Sequence, residues 1–323
     1  MSVERWRPAS DVATARRRAR MMADARRFFG ERDVLEVDTP LLSSTTVSDP
    51  HIESVQANRR GKPYFLQTSP EYFMKRLLCS GYPDIYQVCK VFREGESGRR
   101  HSPEFTMVEW YRHGFGLNRM MRETTEFITA LLEPPRLAAP PLLTDYRGAF
   151  RTHAGLDPAD ASVAALAEAA DADERLTGSL GEDRDAWLDL LLSTRVVPCF
   201  PPRRLTVLYH YPASQAALAR RCPEDPSVAD RFEVFYGDLE LANGFVELRD
   251  AKEQARRFAE DREMRARRNQ VQHPPDRRLL AALESGLPDC AGVAVGFERL
   301  LMINEMTDDI RETQTFPLEE EDE

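Results

Sequence analysis

Apolar positions Val12, Ala15, Ala19, Met22 and Phe29 recur at helical spacing, with most arginines of the segment on the other face, so residues 12–29 are predicted to form a helix. "VLEVDTP" follows as a short strand closed by Pro40, whose missing N–H suits a strand end or edge. "LQTSPEYFMKRLL" then carries a helix start: Thr68 or Ser69 as N-cap, Pro70 in the first turn, and Glu71 near the positive end of the helix dipole. In "VFREGESGRRHSPEFTMVEWYR" two runs rich in β-branched and aromatic residues flank a charged, glycine-containing middle, which predicts strands over 85–93 and 104–111 with a loop between.

Residues 132–143, "LEPPRLAAPPL" and its neighbour, read as a surface crossing, and 144–196 as short helices broken at Gly155, Asp157-Pro158 and Gly178. "RLTVLYHYPAS" reads as a strand ending at Pro212. Residues 232–248 are strand-rich, with turn signals at Gly237-Asp238 and Asn243-Gly244. Asp250 with Glu253 opens a helix running to about Arg268, and "GVAVGFERLLMINEM" reads as a buried strand passing straight into a helix. If Asn243-Gly244 is a two-residue hairpin turn, Glu240 faces Glu247. Facing carboxylates repel, so either a cation lies between them, a metal or a substrate ammonium, or the hairpin is exposed and they splay into water.

Composition narrows the class. Of 323 residues, 42% are hydrophobic and 30% charged, as in globular chains, and no apolar run approaches the ~20 residues of a membrane span. The N-terminus lacks the succession of a signal peptide, so a cytoplasmic protein is expected. Cys79, Cys89, Cys199, Cys222 and Cys290 are odd in number and scattered, suggesting thiols rather than disulfides or a zinc motif. Net charge is −10, half of it in the closing "EEEDE", which disfavours a general polyanion binder. The basic run "RRRAR" at 16–20, with Arg26 and Arg27, is first a feature of the amphipathic helix. There is no H-E-x-x-H, no G-x-S-x-G elbow, no third glycine of a dinucleotide fingerprint and no P-loop lysine, so the common hydrolase, zinc-protease and P-loop chemistries fall away.

What remains is a hairpin able to grip a polyphosphate and stack a base. Arg93 closes one strand, Arg99, Arg100 and His101 sit in the loop, and Phe105 returns on the next. A solvated surface hairpin is the alternative, with Phe105 in the core. Taken in order, helix 12–29 with "VLEVDTP", then "FREGESGRRHSPEF", then "GVAVGFERLL" resemble the three signature motifs of class II aminoacyl-tRNA synthetases. Within that class "TSPEYFMKRLL", "HSPEFTMVEWY" and "ELANGF.EL" are similar to the lysyl-tRNA synthetase catalytic core. "YHYPASQAALA" and "LPDCAGVAVGFER" are especially like its stand-alone paralogues, which carry no anticodon-binding barrel.

The resemblance implies an α+β fold, a class II aminoacyl-tRNA synthetase-like catalytic domain with a mainly antiparallel sheet flanked by helices. It places a single domain over 1–306, with a helical insertion at 144–196 and a disordered acidic tail at 307–323. It also implies a homodimer built partly on the first motif. The activity implied is an ATP-dependent ligase: ATP and an amino acid, (R)-β-lysine or lysine, give an aminoacyl-adenylate. The acyl group then passes to a lysine ε-amine of elongation factor P, tRNA being the less fitting acceptor for so negative a chain. Activation of α-lysine for tRNA or another amine is the runner-up. A catalytically silent, synthetase-like regulatory module is disfavoured by the presence of Arg93 and Arg299.

By the same resemblance Arg93 neutralises the α-phosphate and Arg299 assists on the polyphosphate, over an adenine stacked on Phe105. His101, Ser102, Leu241 and Gly296 lie along ATP. Glu240 and Glu247 match positions contacting magnesium and the substrate ammonium, while Ser69, Glu71 and Tyr111 match the amino-acid pocket. Ala294 stands where lysyl-tRNA synthetases have glycine and the paralogues alanine, which favours β-lysine. The family's Arg-Asn-Glu is here Arg93-Glu94-Gly95-Glu96, leaving Glu94 or Glu96 to make the contact of the missing glutamate.

Overall fold

The computed structural model describes residues 6–318. In chain order its strands are β1 (Leu35–Glu36), β2 (Leu42–Ser43), β3 (Gln56–Arg59), β4 (Lys62–Leu66), β5 (Ile85–Phe92), β6 (Glu104–His113), β7 (Leu142–Asp145), β8 (Leu205–Tyr209), β9 (Arg231–Tyr236), β10 (Leu239–Val246) and β11 (Cys290–Gly296). The chain divides into two compact units, one of Met1–Phe115, Glu126–Arg136 and Arg249–Glu323, the other of Gly116–Thr125 and Leu137–Leu248.

In the first unit β1 runs parallel to β5, while β5–β6 and β6–β11 are antiparallel. A smaller antiparallel sheet has the order β2-β4-β3. β6 is the spine. Its register sets Tyr86 opposite Trp110 and Gln87 opposite Glu109 on one side, and Glu109 opposite Ala294 on the other. Alternation therefore gives it two characters. Thr106, Val108 and Trp110 turn one way, and the fully buried Trp110 meets the helix Val12–Gly30 through Phe29, whose ring lies 5.2 Å from the indole and 4.2 Å from Tyr86. Phe105, Met107, Glu109 and Tyr111 turn the other way.

The helix Val12–Gly30 forms as the periodicity predicts, capped by Asp11 accepting from the N–H of Thr14 at 2.8 Å, but its buried face is only in part the one expected, with Phe29 buried and Met22 half-buried. Thr14, Met21, Ala25, Phe28 and Phe29 are buried, while Val12 is 68% exposed and Ala15 and Ala19 are exposed. The arginines explain the rotation. Arg17 pairs with Glu305 at 2.6 Å and Glu133 at 3.1 Å, and Arg18 with Glu298 at 3.1 Å, so part of the basic run turns inward. The helix Glu71–Cys79 begins as expected, although Pro70 occupies the cap and Ser69 Oγ accepts from the N–H of Glu71 at 3.0 Å.

In the second unit β10–β9 and β9–β8 are antiparallel and β8–β7 is parallel. The short helices Tyr146–His153, Val163–Ala169, Glu174–Leu180 and Arg184–Leu191 bury a core that includes Tyr146, Phe150, Trp187, Leu188, Tyr211 and Phe235. Gly178 lies inside a helix rather than breaking one; the stop comes at Gly181, whose φ of 50° suits glycine. The Asn243-Gly244 hairpin does not form. Both residues lie within β10, paired to Glu233 and Phe232, and the turn is at Gly237-Asp238.

Residues 307–318, expected within a disordered tail, instead carry a short 3₁₀ turn, Ile310–Thr313, and hydrogen bonds to the loop after β5; 319–323 lie outside the described residues. The N–H of Ile310 donates to the carbonyl of Arg99 at 2.8 Å, Arg99 pairs with Asp308, and Gln314 Nε2 donates to Ser102 Oγ at 3.2 Å and to the carbonyl of Glu104 at 2.9 Å. No helix among the described residues is long and apolar enough to cross a membrane.

Candidate active site

On the first unit the face of β6 that carries Phe105, Glu109 and Tyr111 gathers two groups of side chains. At its N-terminal end the Arg93 guanidinium lies 5.1 Å from the centroid of Phe105, and Nη1 is 3.4 Å from Glu96 Oε1. The strand edge fixes Arg93 through its own N–H, which donates to the carbonyl of Pro103 at 2.9 Å. Its Nε is buried with no hydrogen-bond partner, as for a donor aimed at a missing acceptor. Of the two candidates for the absent motif glutamate, Glu96 is the one beside Arg93, whereas Glu94 is exposed and its N–H donates to the carbonyl of Glu53 at 2.9 Å. Gly95 between them has φ 75°, a conformation that a glutamate there would resist.

The loop turns back through reciprocal bonds between Gly98 and His101 at 3.2 and 3.3 Å, which carry His101 to Arg299. Arg299 Nη2 donates to His101 Nε2 at 2.9 Å. Gly296 ends β11 and serves as the N-cap of Phe297–Glu305, so the strand-to-helix junction presents Arg299 one turn on. Beneath it Glu298, 1% exposed, accepts from the N–H of Thr106 at 2.7 Å and forms an ion pair with Arg18, tying the third motif to β6. Ser102 is buried, donating to the carbonyl of Glu104 at 2.9 Å and bonded to Gln314, so it is held within the loop by its hydrogen bonds.

Four residues along β6, about 13 Å at strand rise, lies the second group. Glu109, 3% exposed, accepts at one oxygen from Tyr111 Oη at 2.7 Å and at the other from Ser69 Oγ at 2.8 Å. Burial pushes its carboxyl up to about 7, with the charge of nearby Glu71 adding to the rise. Glu71 itself meets the buried ammonium of Lys75 at 2.6 Å. The methyl of Ala294 stands directly across from Glu109 in the sheet. Ser69, Glu71, Tyr111 and Ala294 are thus brought together, around a residue the motifs did not single out. Its one sequence signal is a carboxylate set among the apolar residues Met107, Val108, Trp110 and Tyr111.

On the second unit the facing pair Glu240–Glu247 is not found. With β10 continuous, the two stand about 20 Å apart along the strand, too far for one ion to bridge. A bulge between Glu240 and Ala242, at Leu241, restores the alternation so that Glu240, Asn243 and Phe245 share a face with Glu233 and Arg231 of β9. Glu240 pairs with Phe235, which makes Glu233 its diagonal neighbour. Glu233 accepts from Tyr211 Oη at 2.6 Å and pairs with Arg231 at 2.6 Å, yet burial and the charge of Glu240 hold its carboxyl above the usual range. Two carboxylates diagonal on one face are a donor set suited to a hard divalent cation such as magnesium. Glu247, 1% exposed, is bridged through the backbone to Ala219.

Comparison with known proteins bears on this arrangement. The profile of the tRNA synthetases class II (D, K and N) matches residues 5–320. The chain is 43% identical over 320 residues to the elongation factor P–(R)-β-lysine ligase of Haemophilus ducreyi, covering 97% of this chain and 96% of that protein. It is 44% identical over 321 residues to the ligase of the same name from Klebsiella pneumoniae subsp. pneumoniae, covering 97% and 98%. It is 42% identical over 322 residues to that from Histophilus somni, covering 98% of both.

Proposed function

Since the chain belongs to the class II tRNA synthetases (D, K and N), we propose that it activates (R)-β-lysine with ATP and transfers it to a lysine of elongation factor P. The observation that carries this is β6: one face of one strand holds Phe105 under the Arg93 guanidinium and, four residues on, the enclosed Ser69–Glu109–Tyr111 group. A nucleotide end and an ammonium end at that spacing suit an amino acid joined to AMP.

In the first step the substrate carboxylate attacks the α-phosphorus, and the bond to pyrophosphate breaks. Arg93 opposes the charge growing on the α-phosphate, and Arg299, with His101 oriented against it, receives the departing polyphosphate over an adenine on Phe105. Glu94, Glu96, Ser102 and Gly296 shape the nucleotide site, with Glu96 taking the part of the absent motif glutamate. On the second unit Glu240 and Glu233 would hold magnesium. Ser69, Glu71, Glu109 and Tyr111 receive the cationic amino acid, and the Ala294 methyl narrows the pocket beside Glu109. In the second step the ε-amine attacks the acyl carbon, loses its proton, and AMP leaves. The exposed Val12 and Leu35 of the first motif, with Leu41 and Leu42 just after it, support a homodimer, and the net charge of −10 favours a protein acceptor in the cytoplasm over tRNA.

The test is ATP–pyrophosphate exchange by purified protein with (R)-β-lysine and with α-lysine, followed by mass analysis of elongation factor P. Exchange preferring β-lysine, with one aminoacyl mass added to the acceptor, is expected; silence with both amino acids rejects the proposal. Ala294→Gly should move the preference toward α-lysine, by the roughly 1–3 kcal/mol a methyl group discriminates.

A further inference from the structure

We propose that His210, Cys222 and Asp230 form a binding site for one zinc-type divalent cation, clamping the connection between β8 and β9. Among the described residues their ligand atoms lie within 4.8 Å of one another, and His210 Nε2 is 3.8 Å from Asp230 Oδ1. Zinc bonds of ~2.0–2.3 Å in a tetrahedron set ligand atoms roughly 3.4–3.6 Å apart, so side-chain movements of about an ångström close the site.

The backbone already holds the three in place. His210 follows β8 with φ 60°, an uncommon conformation for a residue with a side chain, and its N–H donates to the carbonyl of Arg231 at 3.0 Å. Asp230 immediately precedes β9, and its N–H donates to the carbonyl of Arg220 at 3.0 Å. Cys222 is carried to the same point by its N–H donating to the carbonyl of Val228 at 2.9 Å.

The chemistry of the donors is selective. Cys222 is 5% exposed and Asp230 4%, while the imidazole side chain is 34% exposed and leaves an entry path. Arg220 Nε donates to Asp230 Oδ2 at 2.7 Å, which turns the other oxygen toward His210 in the manner of an outer-shell partner. One nitrogen, one sulfur and one oxygen suit zinc or cobalt rather than magnesium, which prefers oxygen alone. The Cys222 thiol lies 3.2 Å from Glu224 Oε2, so that carboxylate or a water completes four-coordination. On binding, the S–H bond breaks, a sulfur–metal bond forms, and the proton leaves to solvent. Without a metal the same contacts amount to a His–Asp contact with a buried thiol beside it, which is the outcome the test must separate.

Metal-stripped full-length protein is titrated with cobalt, then with zinc against a chromophoric chelator. One equivalent should bind, with a thiolate-to-cobalt charge-transfer band; Cys222→Ser should remove the band and His210→Ala should weaken zinc binding by roughly tenfold or more. Cys199→Ser, at an exposed thiol elsewhere, should leave both unchanged. Absence of the band at stoichiometric cobalt, or its survival in Cys222→Ser, overturns the proposal. Should Cys222→Ser fail to fold, unchanged zinc affinity in His210→Ala, at a partly exposed ring, overturns it as well.

Discussion

An enclosed carboxylate is costly unless something takes up its charge, and at the residue scale this makes Glu109 the most informative side chain of the site. With its proton held until about pH 7, Glu109 is neutral below that pH and can attract an ammonium only above it. The Michaelis constant for the cationic amino acid should therefore rise as pH falls from about 8 to 6, and Glu109→Gln should raise it throughout and flatten the profile; a wild-type constant unchanged over that range rejects the role. Arg299→Ala should reduce pyrophosphate exchange by at least 10²-fold, the scale of a lost transition-state contact, and near-normal exchange would place the nucleotide elsewhere. The motifs that carry Arg93, Arg299 and Phe105 were legible because each is contiguous in the chain. Glu109 and Glu233 were not, because a carboxylate between apolar neighbours in a strand acquires meaning only from the hydroxyls that other segments bring to it, Ser69 for the one and Tyr211 for the other.

At the scale of elements, the long helices and the β5–β6 hairpin follow from periodicity and caps that a linear pattern contains. Two things escaped it. The Asn243-Gly244 pair is a common turn signal, yet pairing with β9 along most of β10 outweighs the local preference and leaves a bulge at Leu241 instead. The buried face of Val12–Gly30 was displaced because Arg17 and Arg18 found glutamates on distant segments. Arg265 shows the same dependence on remote partners. Fully buried, it donates to the carbonyls of Asp49 at 2.9 Å, Ile52 at 3.2 Å and Val271 at 2.9 Å, and to Glu53 at 2.6 Å, so one side chain fixes the segment that receives the N–H of Glu94. Arg265→Ala should cost about 3 kcal/mol by leaving these acceptors without a donor, as read from urea unfolding, and Arg265→Lys should not restore it because an ammonium lacks the guanidinium fork. A loss under 1 kcal/mol would mean that water satisfies the carbonyls.

At the scale of the whole molecule, the apolar residues left exposed on the first motif should be covered by a second copy. Sedimentation should give twice the 36.9 kDa of one chain, and Leu42→Asp should shift the balance toward monomer; a monomeric wild type at micromolar concentration rejects the dimer. The class was set by sequence alone, since it resides in short contiguous motifs, and the mainly antiparallel architecture followed from that resemblance; helices and strands followed from the periods of 3.6 and 2 that backbone geometry imposes. Which face of each element is buried, which carboxylates meet, and where residues 307–318 bind were decided only in the tertiary structure. Burial and charge compensation depend on partners distant in the chain, such as Arg18 with Glu298, Ser69 with Glu109, and Arg99 with Asp308. No local pattern encodes those distances.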